Sequence, residues 1–112
     1  RSHLAFKKNG ILCVNVLSPD HQELSPVFAS AGDLPMPDRF ALARWLRLVT
    51  GSPVLESAAA AFDCTIDQIT EVGTHSVFFC GVKAIHLGPN SSGLIYHGRG
   101  YHRIIPETPS AA

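Results

Sequence analysis

Apolar and polar residues alternate with a period of two along two long stretches, and one glycine turn separates them. In the first, Ala58 to Thr70, Phe62, Cys64 and Ile66 alternate with Asp63, Thr65 and Asp67. That alternation predicts a half-exposed strand, although the four alanines at its start favour helix by propensity alone. The phase slips near Gln68 and Ile69, which predicts a β-bulge. The second stretch runs from Val77 to Leu87. It opens with Val77-Phe78-Phe79-Cys80-Gly81-Val82, apolar on both faces, which predicts cover on both sides. Between the two lies Thr70-Glu71-Val72-Gly73-Thr74-His75-Ser76. Gly73 supplies the turn because it reaches positive φ without steric cost, and His75 falls just inside the second strand.

The remaining segments are shorter. His3 to Asn9 reads as a helix stopped by Gly10. Ile11 to Leu17 is a β-branched apolar run, predicted as a buried strand whose one amide, Asn15, needs partners. Ser18 as N-cap, Pro19 in the first turn and Asp20 beside it start a helix toward Ser30, which Pro26 can kink or shorten. Gly32, Pro35 and Pro37 make the next part a loop. Phe40 to Leu46 reads as a helical turn or irregular strand anchored by Trp45. Gly51-Ser52-Pro53 breaks the chain before Val54 and Leu55. A loop at 88–93, a short strand at Leu94 to Tyr96, a tight turn at Gly98-Arg99-Gly100 and a last extended piece, Tyr101 to Ile105, complete the pattern. These elements predict a mainly β, antiparallel barrel or sandwich with short helices. Residues 1–105 form its domain, and 106–112 a disordered tail.

Composition narrows the functions open to this domain. The 112 residues are 46% hydrophobic and only 16% charged, with zero net charge and a pI near 7.2. So little charge predicts that a partner, most simply a second copy, covers apolar surface. No basic field is present to hold a nucleic-acid backbone. Cys13, Cys64 and Cys80 are scattered and odd in number. They read as small buried hydrophobes in a reducing compartment, with a Cys64–Cys80 contact across the hairpin open. No apolar run is long enough for a bilayer, so a soluble, cytoplasmic protein is expected. The chain opens without an initiator Met, on what reads as the start of a helix, which predicts residues before Arg1.

The chemistry lies at strand ends. No nucleophile motif, phosphate loop or dinucleotide glycine fingerprint occurs, and His97 and His102 lack an evident third metal ligand. Arg1, Ser2 and His3, then His75, then Tyr96, His97, Arg99, Tyr101 and His102 remain. The last group joins aromatic faces to a guanidinium, which suits a planar anion such as a dinucleotide. A solvated hairpin fits it as well, just as capping the turn fits His75 as well as meeting a ligand.

Asn9-Gly10-Ile11-Leu12-Cys13-Val14-Asn15-Val16-Leu17, Phe28-Ala29, Arg39-Phe40, Pro53-Val54-Leu55, Gly73-Thr74-His75 and Gly93-Leu94-Ile95-Tyr96 follow one another in this order. The ordered set resembles the short-chain flavin reductases of two-component monooxygenases, most nearly the 4-hydroxyphenylacetate 3-monooxygenase type. The resemblance implies a split β-barrel homodimer that moves a hydride from NADH or NADPH to FMN or FAD and passes reduced flavin to a separate aromatic-ring oxygenase. A flavin-binding split-barrel dimer without turnover is the alternative. By the same resemblance His75, with Gly73 and Thr74, contacts the nicotinamide and is the catalytic residue. Tyr96, His97, Gly98 and Arg99 follow on the dinucleotide side. Arg1, Ser2 and His3 hold the flavin phosphate, and Phe28 and Ala29 lie near the flavin. Family members carry further strands before the point that matches Arg1. They often have Asp where Thr74 stands and a basic residue where Gly100 stands, so the preference between pyridine nucleotides stays open.

Overall fold

The computed structural model describes residues 3–29 and 35–104. In chain order the elements are α1 (His3–Asn9), β1 (Ile11–Val16), a 3₁₀ turn (Pro19–His21), α2 (Leu24–Phe28), α3 (Met36–Phe40), β2 (Trp45–Leu46), β3 (Val54–Leu55), β4 (Ala60–Val72), β5 (His75–Leu87), β6 (Gly93–His97) and β7 (Gly100–Ile104). The strands form three antiparallel sheets: β1-β4-β5, β2-β3 and β6-β7. The sheets do not close on one another, which is the mainly β split barrel that the resemblance implied. Gly32 of the expected loop and the tail at 106–112 lie outside the described residues; Pro35 and Pro37, expected in that loop, instead cap and open α3, where proline suits the first turn. No described helix is long and apolar enough to cross a membrane.

The dominant element is the β4–β5 hairpin, and it forms where two alternating runs flank Gly73. Its register runs from Ala60 opposite Leu87 to Val72 opposite His75. It is irregular between Asp63 and Cys64 and again between Ile66 and Gln68. The second irregularity is the bulge expected near Gln68, displaced by about one residue. Gly81 makes room for it: a Cβ there would stand 2.7 Å from Asp67 Oδ2.

Leu24, Val54, Leu55, Ala58 and Ala61 form the core, with Cys13, Leu17, Phe28, Ala43, Trp45 and Leu46 packed around it. Val54 and Leu55 are wholly buried, each contributing about 1.5–3 kcal/mol. Trp45 anchors its segment as expected. Its indole N–H donates to the Phe40 carbonyl at 2.9 Å, and its ring lies 4.9 Å from Phe40 and 5.7 Å from Phe28. Asn15 also has its partners: Oδ1 accepts from Leu55 N–H at 2.8 Å, and Nδ2 donates to the Pro53 carbonyl. The amide thereby ties the outer edge of β1 to β3.

Four more expectations need correction. β1 is half-buried, with Val14 and Val16 exposed, because it is an edge strand paired only with β4. Residues 77–82 of β5 are not covered on both faces: Val77 and Phe79 are exposed on one face and Val82 on the other, where Phe78 is half-buried. The helix expected from Ser18 breaks into the 3₁₀ turn and α2, because His21 turns inward: its Nδ1 accepts from Ser18 N–H at 3.0 Å and its Nε2 lies 2.7 Å from Ser57 Oγ. An accepting Nδ1 puts the proton of a neutral ring on Nε2, which donates to Ser57. Last, Asp63 sits at a nominally outward position yet is wholly buried. Its Oδ2 accepts from the N–H groups of Val49 and Thr50, and its Oδ1 from the Thr50 hydroxyl.

The three cysteines are free thiols. Cys64 pairs with Val82 and Cys80 with Ile66, so the two are diagonal neighbours across the hairpin. Burial, then Asp63 and Cys64, push Cys13 up to about 11, which leaves it a poor nucleophile at neutral pH.

Candidate functional site

Two residues, Gly73 and Thr74, join β4 to β5. Gly73 has φ 58° and Thr74 does not enter the positive region, the requirement of a II′ turn, which suits strand twist. Such a turn forces the residues on either side into register. Val72 therefore faces His75, and Glu71 faces Ser76.

Glu71 and Ser76 bind α1 to this turn. Glu71 Oε1 accepts from Lys7 Nζ, and its Oε2 accepts from the Ser76 hydroxyl at 2.6 Å. The hydrogen bond from Lys7, then that from Ser76, hold the Glu71 carboxyl below its usual value. The Ser76 oxygen lies 2.8 Å from His3 Nε2. Phe78, two residues on, meets the His3 ring edge-on at 6.1 Å and Phe6 at 6.3 Å. His3 thus stands at the hairpin mouth; Arg1 and Ser2 lie outside the described residues. Strand alternation puts His75, Val77 and Phe79 on the opposite face of β5 from Ser76 and Phe78. All three are exposed.

Phe28 belongs to a different wall. With Phe40 and Trp45 it forms an aromatic cluster beside a cleft of about 990 Å³, lined also by Ala5, Phe6 and Leu12. The cleft therefore joins α1 to Phe28. Its aromatic and aliphatic walls fit a planar heterocycle such as an isoalloxazine. Ala29 closes α2, donating to the Ser25 carbonyl at 3.1 Å, and is exposed.

Tyr96, His97, Gly98 and Arg99 lie on the β6–β7 hairpin and are exposed. Gly98 at φ 59° and Arg99 at φ 65° give the I′ turn of a two-residue hairpin. Tyr96 and Tyr101 pair across it at 5.0 Å, and His102 Nε2 lies 3.0 Å from the His97 carbonyl. The root of the hairpin is tied by Leu94 N–H to the Leu17 carbonyl. Leu17 follows the Val16–Ala60 pair, at the end of the sheet remote from Gly73. Among the described residues, no hydrogen bond or ring contact links this hairpin to His75. One chain therefore holds its candidate residues as two groups.

Sequence reasoning named neither Glu71 nor Ser76 as a site residue. The signal was present: residues flanking a two-residue turn by two positions must be cross-strand partners.

Residues 1–104 match the flavin reductase like domain family. FMN reductase (NADH) RutF of Variovorax paradoxus is 55% identical over 100 residues, covering 89% of this chain and 54% of that protein. A candidate flavin reductase from Haemophilus somnus is 39% identical, with a TM-score of 0.86 over 93% of this chain and 65% of that one. A homologue of nitrilotriacetate monooxygenase component B from Mycobacterium thermoresistibile is 31% identical, with a TM-score of 0.82 over 100% of this chain and 62% of that one. The chain spans about half the length of the curated relatives it matches. The order of its motifs, its open sheets and these likenesses agree that the chain belongs to the flavin reductase like domain family.

Proposed function

We propose that the chain is part of an NADH-dependent flavin reductase. It takes FMN or FAD as acceptor and hands the reduced flavin to a separate oxygenase, in the cytoplasm. The observation that carries this reading is the β4–β5 turn, which presents His75 to solvent on one face while holding His3 on the other. The names of the relatives, FMN reductase (NADH), support FMN and NADH as the pair. A phenolic substrate for the oxygenase, of the 4-hydroxyphenylacetate kind, rests on the motif resemblance alone.

Phe28, Phe6 and Trp45 would flank the flavin ring in the aromatic cleft, and His3, with Arg1 and Ser2, would meet its phosphate. A bound flavin supplies the redox chemistry itself, so the protein needs no nucleophile of its own. The imidazole of His75 offers a donor and a ring face to the nicotinamide. Its contribution is orientation, and alignment of reacting atoms is worth several kcal/mol of barrier, about 7–11 at the limit.

We further propose a homodimer. Val14 and Val16 on β1, and Val77, Phe79, Val82, Ile85 and Leu87 on β5, are exposed, more apolar surface than a lone small domain usually leaves open. Val77 and Phe79 lie on His75's own face, so a second copy packed against them covers it, while Val14, Val16, Val82, Ile85 and Leu87 lie on the other face. That second copy also provides a route by which Tyr96–Arg99 of one protomer reaches His75 of the other.

The test is loss of NADH absorbance on addition of FMN or FAD to the complete protein. His75→Ala is expected to lower kcat/KM for NADH by roughly 10–100-fold while leaving the flavin KM in place. An unchanged NADH KM and rate would remove His75 from the reaction. Flavin binding without turnover in the wild-type protein would point to a binding module instead.

A further inference from the structure

Resting on the reading above, we propose that Glu71 and Ser76 are positioning residues for flavin binding: they set the tautomer and orientation of His3 and lock that ring to the turn that carries His75. Proton accounting gives the direction of each bond. A carboxylate only accepts, so the Ser76 hydroxyl must donate to Glu71 Oε2 at 2.6 Å. The Ser76 oxygen is then an acceptor toward His3 Nε2 at 2.8 Å, and the neutral His3 ring carries its proton on Nε2. Its Nδ1 is left as the second polar atom of the ring, with no hydrogen bond among the described residues.

The same carboxylate reaches a second point on the helix. Lys7 lies one turn beyond His3, at i+4 on the same face, and bonds Glu71 Oε1. Between them Phe6 packs edge-on against Phe78. Two polar contacts and two ring contacts on a single helix face leave α1 little freedom to roll or slide against the hairpin.

Stability is a weak reason for such an arrangement. The Lys7 and Glu71 side chains are 33% and 54% exposed, and pairs of that kind contribute little. The arrangement acts on geometry: it brings His3, the described member of the stretch that the motif resemblance assigns to the flavin phosphate, against the strand that begins at His75. The flavin and nicotinamide contacts are thereby placed by one pair of cross-strand residues.

The experiment measures flavin and NADH kinetics separately in the complete protein carrying Ser76→Ala, Ser76→Thr or Glu71→Gln, with flavin Kd read from fluorescence quenching. Ser76→Ala and Glu71→Gln are expected to raise flavin KM and Kd by roughly five- to tenfold, the effect of one ordinary hydrogen bond. The NADH KM moves less, and Ser76→Thr, which keeps the hydroxyl and suits a strand, restores the flavin values. Unchanged flavin Kd in Ser76→Ala and Glu71→Gln, or a loss in Ser76→Thr equal to that in Ser76→Ala, overturns this inference alone. A wild-type protein that neither binds nor reduces flavin overturns the proposed function and this inference with it.

Discussion

Replacing Asp63 tests how far one buried carboxylate holds the loop between β2 and β3. Its three acceptor contacts are to Val49 N–H at 2.8 Å, Thr50 N–H at 2.8 Å and the Thr50 hydroxyl. Hydrogen bonds to a charged group contribute about 1.5–3 kcal/mol each. Val49 is exposed and Thr50 only half-buried, so their N–H groups regain water when the carboxylate is removed, and the low end applies. Burying the charge also has its own cost. Asp63→Ala is therefore expected to destabilise by about 3 kcal/mol. Asp63→Asn should lose less, about 1–1.5 kcal/mol, because its carbonyl can take both N–H groups while its amide donates to Thr50 Oγ. The Thr50 hydroxyl then turns to Ser52 Oγ, 2.9 Å away. Urea unfolding measures this. With m of about 1–3 kcal/mol/M, the Ala variant should shift its midpoint by about 1–3 M. A pH series adds a second check. Burial works against ionisation of Asp63, but the hydroxyl and N–H of Thr50 and the N–H of Val49 outweigh it, so the carboxyl lies below its ordinary 3.8. Its contribution is present above that value and is lost as pH falls toward the folded pKa. Wild type and Asp63→Asn should converge there. An Asn variant as damaged as the Ala variant, or a gap that persists in acid, would refute the reasoning.

Gly88, Gly93 and His21 give further tests. A Cβ at Gly88 would stand 1.8 Å from the Ala58 carbonyl oxygen, whereas one at Gly93 meets nothing closer than 3.8 Å. Gly88→Ala should therefore cost about 2–4 kcal/mol or more in a thermal melt, and Gly93→Ala under about 1 kcal/mol. Burial lowers the His21 pKa from 6.5, with Asp20 opposing. The unfolded chain then binds a proton that the folded one does not, so stability falls as pH drops below about 6.5 toward the folded value. His21→Gln should flatten that slope in unfolding measured between about pH 7 and 5; an unaltered slope would assign it to another group.

The parts of this fold legible in the sequence are those whose partners lie nearby in the chain. The hairpin is legible because Gly73 separates two period-two runs, and α1 because Gly10 follows it. The bulge is legible as a slip of phase, although Gly81, which gives Asp67 its space, gave no sign of that role. Asp63 was illegible because its partners, Val49 and Thr50, lie 14 and 13 residues away in an irregular loop. The break at His21 was illegible because Ser57 lies 36 residues on.

The apolar run at 77–82 failed differently. Its two-sided hydrophobicity predicts cover, and α1 supplies that cover on the Phe78 side alone. Periodicity records that a face is to be buried and is silent on whose surface buries it. The same ambiguity governs the site. His75 shares the open face with Val77 and Phe79, while Arg99 holds φ 65° at the tip of a hairpin rooted at the far end of the sheet. A non-glycine residue in the left-handed region is held there at some cost in backbone strain. One chain does not join the imidazole to the guanidinium. In the homodimer proposed above, the second subunit would cover Val77 and Phe79, which a single chain leaves in water on His75's face, so one contact would both bury that surface and bring the imidazole of one protomer toward the guanidinium of the other.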